Sequence, residues 1–433
     1  MAANETATIL LLGSFVVMIF MRVPIGFALG LSSVLTTWYL DLPLMVVAQG
    51  IVRGIDAFVL LAVPFFIIAG EIMGAGGISA RLVRFANALV GRFRGGLAMV
   101  NVLASMFFGG ISGSSAADTS SIGSLLIPIM KKKGYDADFA TSVTMAGSVQ
   151  GILIPPSHNM IIFALVAGSV SIGRLFLAGV VPGVLLGLAL MVFCYIMSVA
   201  RKYPVGEKVS FQEAMRALWD SSLGLATVLI VVVGVISGIF TATESAALAA
   251  IWAFVVTFFV YREIPLSRMN EILGNSLRIL SIILVMIGTS SAFGWLTAYL
   301  RVPGMVSQAI LGLTDNPILI MLILNGIMLF LGMIMDMAAI ILVATPVLLP
   351  IAIKSGVDPI HFGIIMMLNL GIGLITPPVG NTLFIGSAIA GISLEQLTKC
   401  MLPFFGVMLA VLALVSFCPS VVMFLPNLLM PMQ

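Results

Sequence analysis

Charge is scarce in this chain. Only 9% of its 433 residues are Asp, Glu, Lys or Arg, where a soluble domain carries roughly a quarter, and no polar stretch is long enough to enclose a separate core. That excludes a water-soluble fold. The net charge of +3 comes from Lys and Arg gathered in a few loops, so no nucleic acid is expected as a partner. Histidine occurs twice and cysteine three times, at Cys194, Cys400 and Cys418, in apolar segments without CxxC or metal-ligand spacing; neither a disulfide nor a bound metal cofactor is expected. A P-loop GxxxxGK(S/T) and a G-x-S-x-G elbow are also missing, which argues against ATP hydrolysis and against an enzyme.

What fills the chain is apolar sequence, 61% of all residues. A helix needs about 20 apolar residues to cross a bilayer core. Candidate spans run over 7–20, 24–40, 58–79, 139–168, 175–200, 222–240, 244–262, 276–298, 361–390 and 400–425. The run from Ala7 to Phe20 has no basic region before it and no small-residue cleavage site after it, so it reads as a retained span. Arg81, Arg84, Arg92, Arg94, Lys131, Lys132, Lys133, Arg201, Lys202, Lys208, Arg216, Arg262, Arg268 and Arg278 fall in loops that share one side, the cytoplasm by the positive-inside rule. Amphipathic pieces near 43–56, 80–94, 264–275 and 301–314 are too short or too polar to span and are expected as arm helices along the membrane surface.

Two further apolar stretches, 97–130 and 317–351, are broken in the middle by polar residues. Arg94 and Lys131 flank the first on the basic side, which requires a hairpin that enters and returns; the second, between Arg301 and Lys354, is expected to open to the other side. Sliding the sequence by 222 positions superposes Gly134 on Gly356, Asp136 on Asp358, Gly151 on Gly373, Pro155-Pro156 on Pro377-Pro378, Asn159 on Asn381 and Ser171 on Ser393. The expected architecture is therefore an all-α polytopic membrane protein with two repeats, 1–221 and 222–433. Each would hold five crossings and one re-entrant hairpin, and that odd number turns the second copy upside down. Inverted repeats of this kind mark secondary transporters.

The polar residues at membrane depth are the candidate site. The first hairpin turns through GGISGSSAADTSSIG, 109–123, where Ser112, Ser114, Ser115, Asp118, Thr119, Ser120 and Ser121 supply oxygens of the kind a hard cation such as Na⁺ takes. Small residues also let helices approach closely; the carboxylate at membrane depth favours function. In LIPPSHN, 153–159, two prolines remove backbone donors and unwind a long span, freeing carbonyls beside Asn159. ITPPVGNT, 375–382, repeats that break with Thr376, Asn381 and Thr382. The second hairpin turns through GMIMDMAA, 332–339, with Asp336 as its sole ionisable residue. Each tip is expected to meet the broken span of its own half, with an organic substrate between the two. Half-helix N-termini there would suit a carboxylate. His158 stands beside the first proline pair with Gly380 as its repeat mate, Glu244 has the Thr-x-x-Glu spacing of a helix cap after Thr241, and Glu71 reads as structural.

AVPFFIIAGEIM at 62–73, GGISGSSAADTSSIG at 109–123, ILIPPSHN at 152–159, GIFTATESAALAA at 238–250 and ITPPVGNT at 375–382 together resemble the large membrane subunit of tripartite ATP-independent periplasmic (TRAP) transporters. The resemblance covers nearly the whole chain, in order. It implies a Na⁺-coupled importer in the bacterial inner membrane, fed with an organic acid by a soluble periplasmic binding protein and completed by a small, separate membrane subunit of about four helices. It also implies an elevator mechanism within the ion transporter superfamily. Carried over, the family's sodium sites fall on Ser112, Ser114, Ser115, Asp118, Pro155 and Asn159, and on Gly332, Asp336, Thr376, Pro378 and Thr382. The competing readings are a stand-alone dicarboxylate or citrate-type sodium symporter and, more remotely, a membrane-embedded enzyme or a channel.

Overall fold

A computed structural model describes residues 2–168, 170–206 and 209–431; the loop cation Lys208 lies outside the described residues. In chain order, α1 (Ala2–Phe20) and α2 (Ile25–Tyr39) precede the short α3 (Met45–Ile55), a 3-10 turn leading into α4 (Ala62–Ala75), and the short α5 (Ile78–Val90). Next come α6 (Gly96–Ser112) and α7 (Ser115–Lys132), then α8 (Ala137–Leu153) and α9 (His158–Ala167), then α10 (Ile172–Ala200). The chain continues through α11 (Phe211–Ile236), α12 (Ala242–Val255) with a π-helical end Val256–Tyr261, α13 (Met269–Tyr299) and α14 (Val302–Leu311). It ends with α15 (Pro317–Ile334), α16 (Met337–Lys354), α17 (Pro359–Gly373), α18 (Asn381–Ala390), α19 (Leu394–Phe417) and α20 (Pro419–Leu429). Among the described residues the one β pairing outside strands is an isolated bridge between Arg94 and Val205.

Among the described residues eight helices are long and apolar enough to cross a membrane, and the pair α8–α9, bent by 45° at its break, makes up to nine. Length alone does not separate a crossing from the arm of a hairpin: α15 and α16 both pass, yet they are joined by a turn at Met335–Asp336. The other expected hairpin turns at Gly113–Ser114, where Gly113 has φ of 60°.

Positions 222 apart correspond at several helix ends. Ser114 and Asp336 are the N-caps of α7 and α16, Ser171 and Ser393 those of α10 and α19, and Asp136 and Asp358 those of α8 and α17. A side-chain oxygen there takes a backbone N–H left over by the first turn; five of these six do so, while Asp136 instead accepts from Arg201 and Tyr203. The turns before α8 and α17 need a left-handed residue, supplied by Gly134 (φ 87°) and Gly356 (φ 85°). Displaced by 222, α7 lies end for end on α16.

Some boundaries differ from the sequence reading. The piece at 264–275 is not a separate arm: from Met269 it runs straight into the following span as one 31-residue helix, since no proline interrupts it and Gly274 alone does not. The stretch 400–425 is two helices, because Pro419 disfavours helical backbone at Cys418, which sits at φ −117°, ψ 80°. The span expected at 222–240 starts at Phe211, behind a capping box of Ser210 and Glu213. The same box, Thr241 with Glu244, starts α12.

Burial sorts the helices by role. Every residue of α8 from Phe139 to Leu153, and of α17 from Ile360 to Gly373, is buried. A helix enclosed on all sides is a core element, so the two broken helices form the centre of the molecule. Outer helices such as α11 leave Leu229 and Val233 exposed, as lipid-facing surface does. Close backbone contact holds each hairpin on its broken helix: a Cβ on Gly151 would stand 2.7 Å from Gly109 Cα, and one on Gly373 2.6 Å from Gly332 Cα. Gly151→Ala and Gly373→Ala are therefore each expected to cost about 1–3 kcal/mol by overpacking, read as a lower thermal midpoint of the purified protein. An unchanged midpoint in both would show that the helices can separate freely.

Candidate functional site

The double prolines end α8 before Ile154 and leave Pro155–Ser157 outside any helix; Thr376–Val379 does the same after α17. Both Pro-Pro bonds are cis. Each hairpin tip lies on the break of its own half. A Cβ on Gly113 would touch Pro156 O and Ser157 Cα at 3.0 and 3.1 Å, and the Val379 N–H donates to Met333 O at 3.1 Å. Buried side-chain bonds fix the first hairpin on α8: Gln150 Nε2 donates to Val102 O at 2.6 Å, Asn101 Nδ2 to Thr144 Oγ1 at 2.7 Å, and the Ser115 and Ser148 hydroxyls lie 2.6 Å apart. Each contributes about 1 kcal/mol net.

The consequence is that four helix N-termini converge. A cavity of about 610 Å³ is lined by Ser114, Ser115 and Ala116 at the start of α7, by His158 and Asn159 at the start of α9, by Asp336, Met337 and Ala338 at the start of α16, and by Asn381 and Thr382 at the start of α18. The two halves also touch directly, with Ser115 Oγ 3.4 Å from Thr382 Oγ1. Aligned peptide dipoles give each N-terminus a partial positive charge; Ser114 and Asp336 cap those of α7 and α16, and Asp336 adds a negative charge, so it is the starts of α9 and α18, which no side chain caps, that favour an anion.

The candidate residues divide accordingly. Ser114, Ser115, Asn159, Asp336, Asn381 and Thr382 line the cavity, and so does His158. Asp336 caps α16 through Oδ2, which accepts from the Ala338 N–H at 3.1 Å, while Oδ1 accepts from Asn381 Nδ2 at 3.2 Å. Asn159, though 6% exposed, has no hydrogen-bond partner among the described residues; its hairpin tip carries Ser114 where the other carries Asp336. Ser112, Asp118, Thr119, Pro155, Gly332, Thr376 and Pro378 do not line the cavity. Pro155 is buried and Pro378 exposed, Gly332 backs onto Gly373, and Thr376 Oγ1 donates to Ile372 O at 2.6 Å. Ser112 Oγ accepts from the Ser114 N–H at 3.4 Å.

Asp118 and Thr119 sit one turn into α7 and are fully buried; the Ser105 hydroxyl of α6 stands beside the Asp118 carboxyl group, yet neither carboxylate oxygen nor the Thr119 hydroxyl makes a hydrogen bond of ordinary geometry. A buried carboxylate without a donor or a cation is costly by several kcal/mol, which makes this the least satisfied place in the hairpin. The opposite wall of the cavity gave no signal in sequence: Pro24–Phe27 of α2 and Ile279–Met286 of α13, apolar apart from Ser281. Ser148, which orients Ser115, was missed as well, one serine among the small residues of α8. Glu71 lines a separate small cavity of about 270 Å³ with Arg268 and Glu271.

The fold is known. The crystal structure of the Alcanivorax borkumensis YdaH transporter aligns with a TM-score of 0.63 over 86% of either chain at 14% identity, and the structure of Neisseria gonorrhoeae MtrF with 0.56 over 86% of this chain and 83% of the other, also at 14%. Sequence similarity is much stronger elsewhere. The chain is 41% identical to Salmonella typhimurium YgiK over 98% of both proteins. It is 40% identical to the isethionate TRAP transporter permease DctMQ of Oleidesulfovibrio alaskensis over 96% of this chain and 65% of that longer one. It is 39% identical to the C4-dicarboxylate TRAP transporter large permease DctM of Vibrio cholerae over 95% and 96%. Residues 12–421 match the family model of the tripartite ATP-independent periplasmic transporter DctM component. An all-helical transporter fold, a central cavity between paired hairpins and this match over nearly the whole length lead to one conclusion: the chain belongs to the DctM family, the large membrane permeases of TRAP transporters.

Proposed function

We propose that this permease imports an organic acid across the bacterial inner membrane, receiving it from a periplasmic binding protein, working with a small membrane subunit and drawing its energy from a sodium gradient. The observation that carries the substrate class is the convergence of four helix N-termini on one 610 Å³ cavity. Pockets of about 300–1,000 Å³ hold small molecules, and the starts of α9 and α18, which no side chain caps, favour an anionic one. The substrates in the relatives' names, isethionate and C4-dicarboxylates, are organic anions, in keeping with this reading.

Sodium coupling is supported by the unpartnered oxygens at Asp118 and Thr119 and by Asp336 at the second tip. An oxygen cage around a hard cation would satisfy a carboxylate that the protein itself leaves bare. Two inverted repeats, 1–221 and 222–433, are supported by the helix ends that recur 222 positions apart. An elevator movement is supported by the construction of the cavity: one wall is hairpins and broken helices, interlocked by short polar contacts, and the other is apolar surface of α2 and α13 with little to hold it in register.

The test is uptake into proteoliposomes containing the chain, its small subunit and its binding protein. Saturable uptake is expected only with all components and an inward sodium gradient. Uptake by this chain alone would replace the tripartite reading with that of a stand-alone symporter. Asn159→Ala removes a polar side chain that faces the cavity with nothing else to bind. Losing one ligand hydrogen bond of about 1–1.5 kcal/mol, it is expected to raise the half-saturating concentration about tenfold while leaving the protein inserted.

A further inference from the structure

A second large cavity, about 590 Å³, opens on the basic side of the molecule, away from the candidate site. Its walls come from α5, the base of the first hairpin, the segment after α10 and the start of α11. The floor is apolar and buried: Val100 and Leu126 are 0% and 1% exposed, and Tyr135 is 5% exposed. On the rim stand two exposed cations, Arg84 of α5 and Lys133 at the end of α7. Neither has a hydrogen-bond or ion-pair partner among the described residues. Among the described residues one acidic side chain lines the cavity, Glu213, which accepts from the Ser210 N–H and hydroxyl at 3.0 Å each. Two cations against one carboxylate leave the described lining with a net positive charge.

The cavity is also built in advance. The segment after α10 is stitched to the turn before α6 by the Gly95 N–H donating to Pro204 O at 3.0 Å, by the Arg94–Val205 bridge, and by the Gly206 N–H donating to Phe93 O at 3.4 Å. The approach is so close that a Cβ on Gly206 would lie 1.9 Å from Gly91 O. This backbone strap holds one wall whether or not a ligand is present.

An apolar slot with a cationic rim, on the positive side of a membrane protein, has the chemistry of an anionic lipid: phosphate outside, acyl chain inside. We propose that this cavity binds one anionic phospholipid, its phosphate between Arg84 and Lys133 and the first part of an acyl chain against Val100, Leu126 and Ile129. A soluble phosphate would use the rim but leave the apolar floor bare, and a zwitterionic lipid would leave the rim charge unmatched. Because α5 and the hairpin base supply opposite walls, the bound lipid links the arm helix to the hairpin.

The experiment is native mass spectrometry of the full chain in detergent, titrated with phosphatidylglycerol, with phosphatidylcholine of the same chains, and with glycerol 3-phosphate. One phosphatidylglycerol per chain is expected to be retained in preference to the other two. In Arg84→Gln/Lys133→Gln its affinity is expected to fall about thirtyfold, since each basic residue near an anionic surface contributes a factor of about five. The charge-keeping Arg84→Lys/Lys133→Arg is expected to bind like the parent, which separates lost charge from lost fold. Ile129→Trp, which fills the slot and leaves both cations, is expected to weaken the lipid but not glycerol 3-phosphate. Equal retention of the two lipids, undiminished binding by the double glutamine variant, or glycerol 3-phosphate binding as tight as the lipid would each overturn the proposal.

Discussion

Asp336→Asn is expected to slow sodium-driven uptake about a hundredfold while leaving the protein folded and inserted, a loss equivalent to about 2–3 kcal/mol of charge-assisted bonding. Asp336 performs two tasks, capping α16 at the Ala338 N–H and accepting from Asn381. Asparagine keeps an oxygen for the cap, so the hairpin tip should persist; the negative charge is lost, and Asn381 has to turn its amide so that its oxygen meets the new NH2 group. Asp336→Ala removes cap and charge together and is expected to lose about 1 kcal/mol of stability in addition. The comparison is made with uptake at several sodium concentrations alongside thermal midpoints. Parental rate and sodium dependence in Asp336→Asn would remove this carboxylate from the coupling mechanism.

The second large effect is expected at Asp118, with opposite signs in two assays. Without sodium, Asp118→Asn should stabilise the protein, because it takes a carboxylate out of a fully buried position where only the nearby Ser105 hydroxyl could serve it and no hydrogen bond of ordinary geometry is made. With sodium, the parent should gain stability in step with ion occupancy, and the variant should not. The thermal midpoint of the parent is therefore expected to rise with added NaCl but not with choline chloride, and that of the variant to respond to neither. Uptake should lose its sodium dependence in parallel. If the parent's midpoint ignores sodium, or if Asp118→Asn responds as the parent does, the buried carboxylate has some other reason to be there.

These two carboxylates also show how far the amino-acid pattern could be followed. Both stood out as charges in apolar sequence, and both lie in the hairpins. The pattern does not distinguish them. Asp336 is at the tip and lines the cavity, whereas Asp118, one turn farther along α7, is fully buried and does not line it. One turn of helix keeps a side chain on nearly the same face but moves it about 5 Å along the axis, and which depth is sealed the composition of a glycine- and serine-rich segment does not encode. Asn159 and Asn381 behave likewise: equivalent in sequence spacing, they differ in the structure because Asn381 donates to Asp336, while at the position of the first tip that matches Asp336 the chain has Ser114, with which Asn159 makes no hydrogen bond. The apolar wall at α2 and α13 was invisible for a simpler reason. An isoleucine beside a cavity and an isoleucine beside a lipid tail are the same letter, and Ile279 and Ile282 became part of a site only through what stands opposite them.

The scarcity of charge with which the chain presents itself already determines that it lives in a bilayer, because 9% of charged residues cannot solvate a surface of this size. Local sequence also determines the helix ends: the caps at Ser114, Asp336, Ser171 and Ser393, the glycine turns, and the double prolines that no helix can continue through. Those signals act over a few residues, so they are readable without the fold. Tertiary structure alone decided that the four interrupted ends meet in one cavity, which of their oxygens face it, and which carboxylate is left bare. Those outcomes depend on how residues more than 200 positions apart pack, as in the contact between Ser115 and Thr382, and packing at that range is set by the shapes of whole helices.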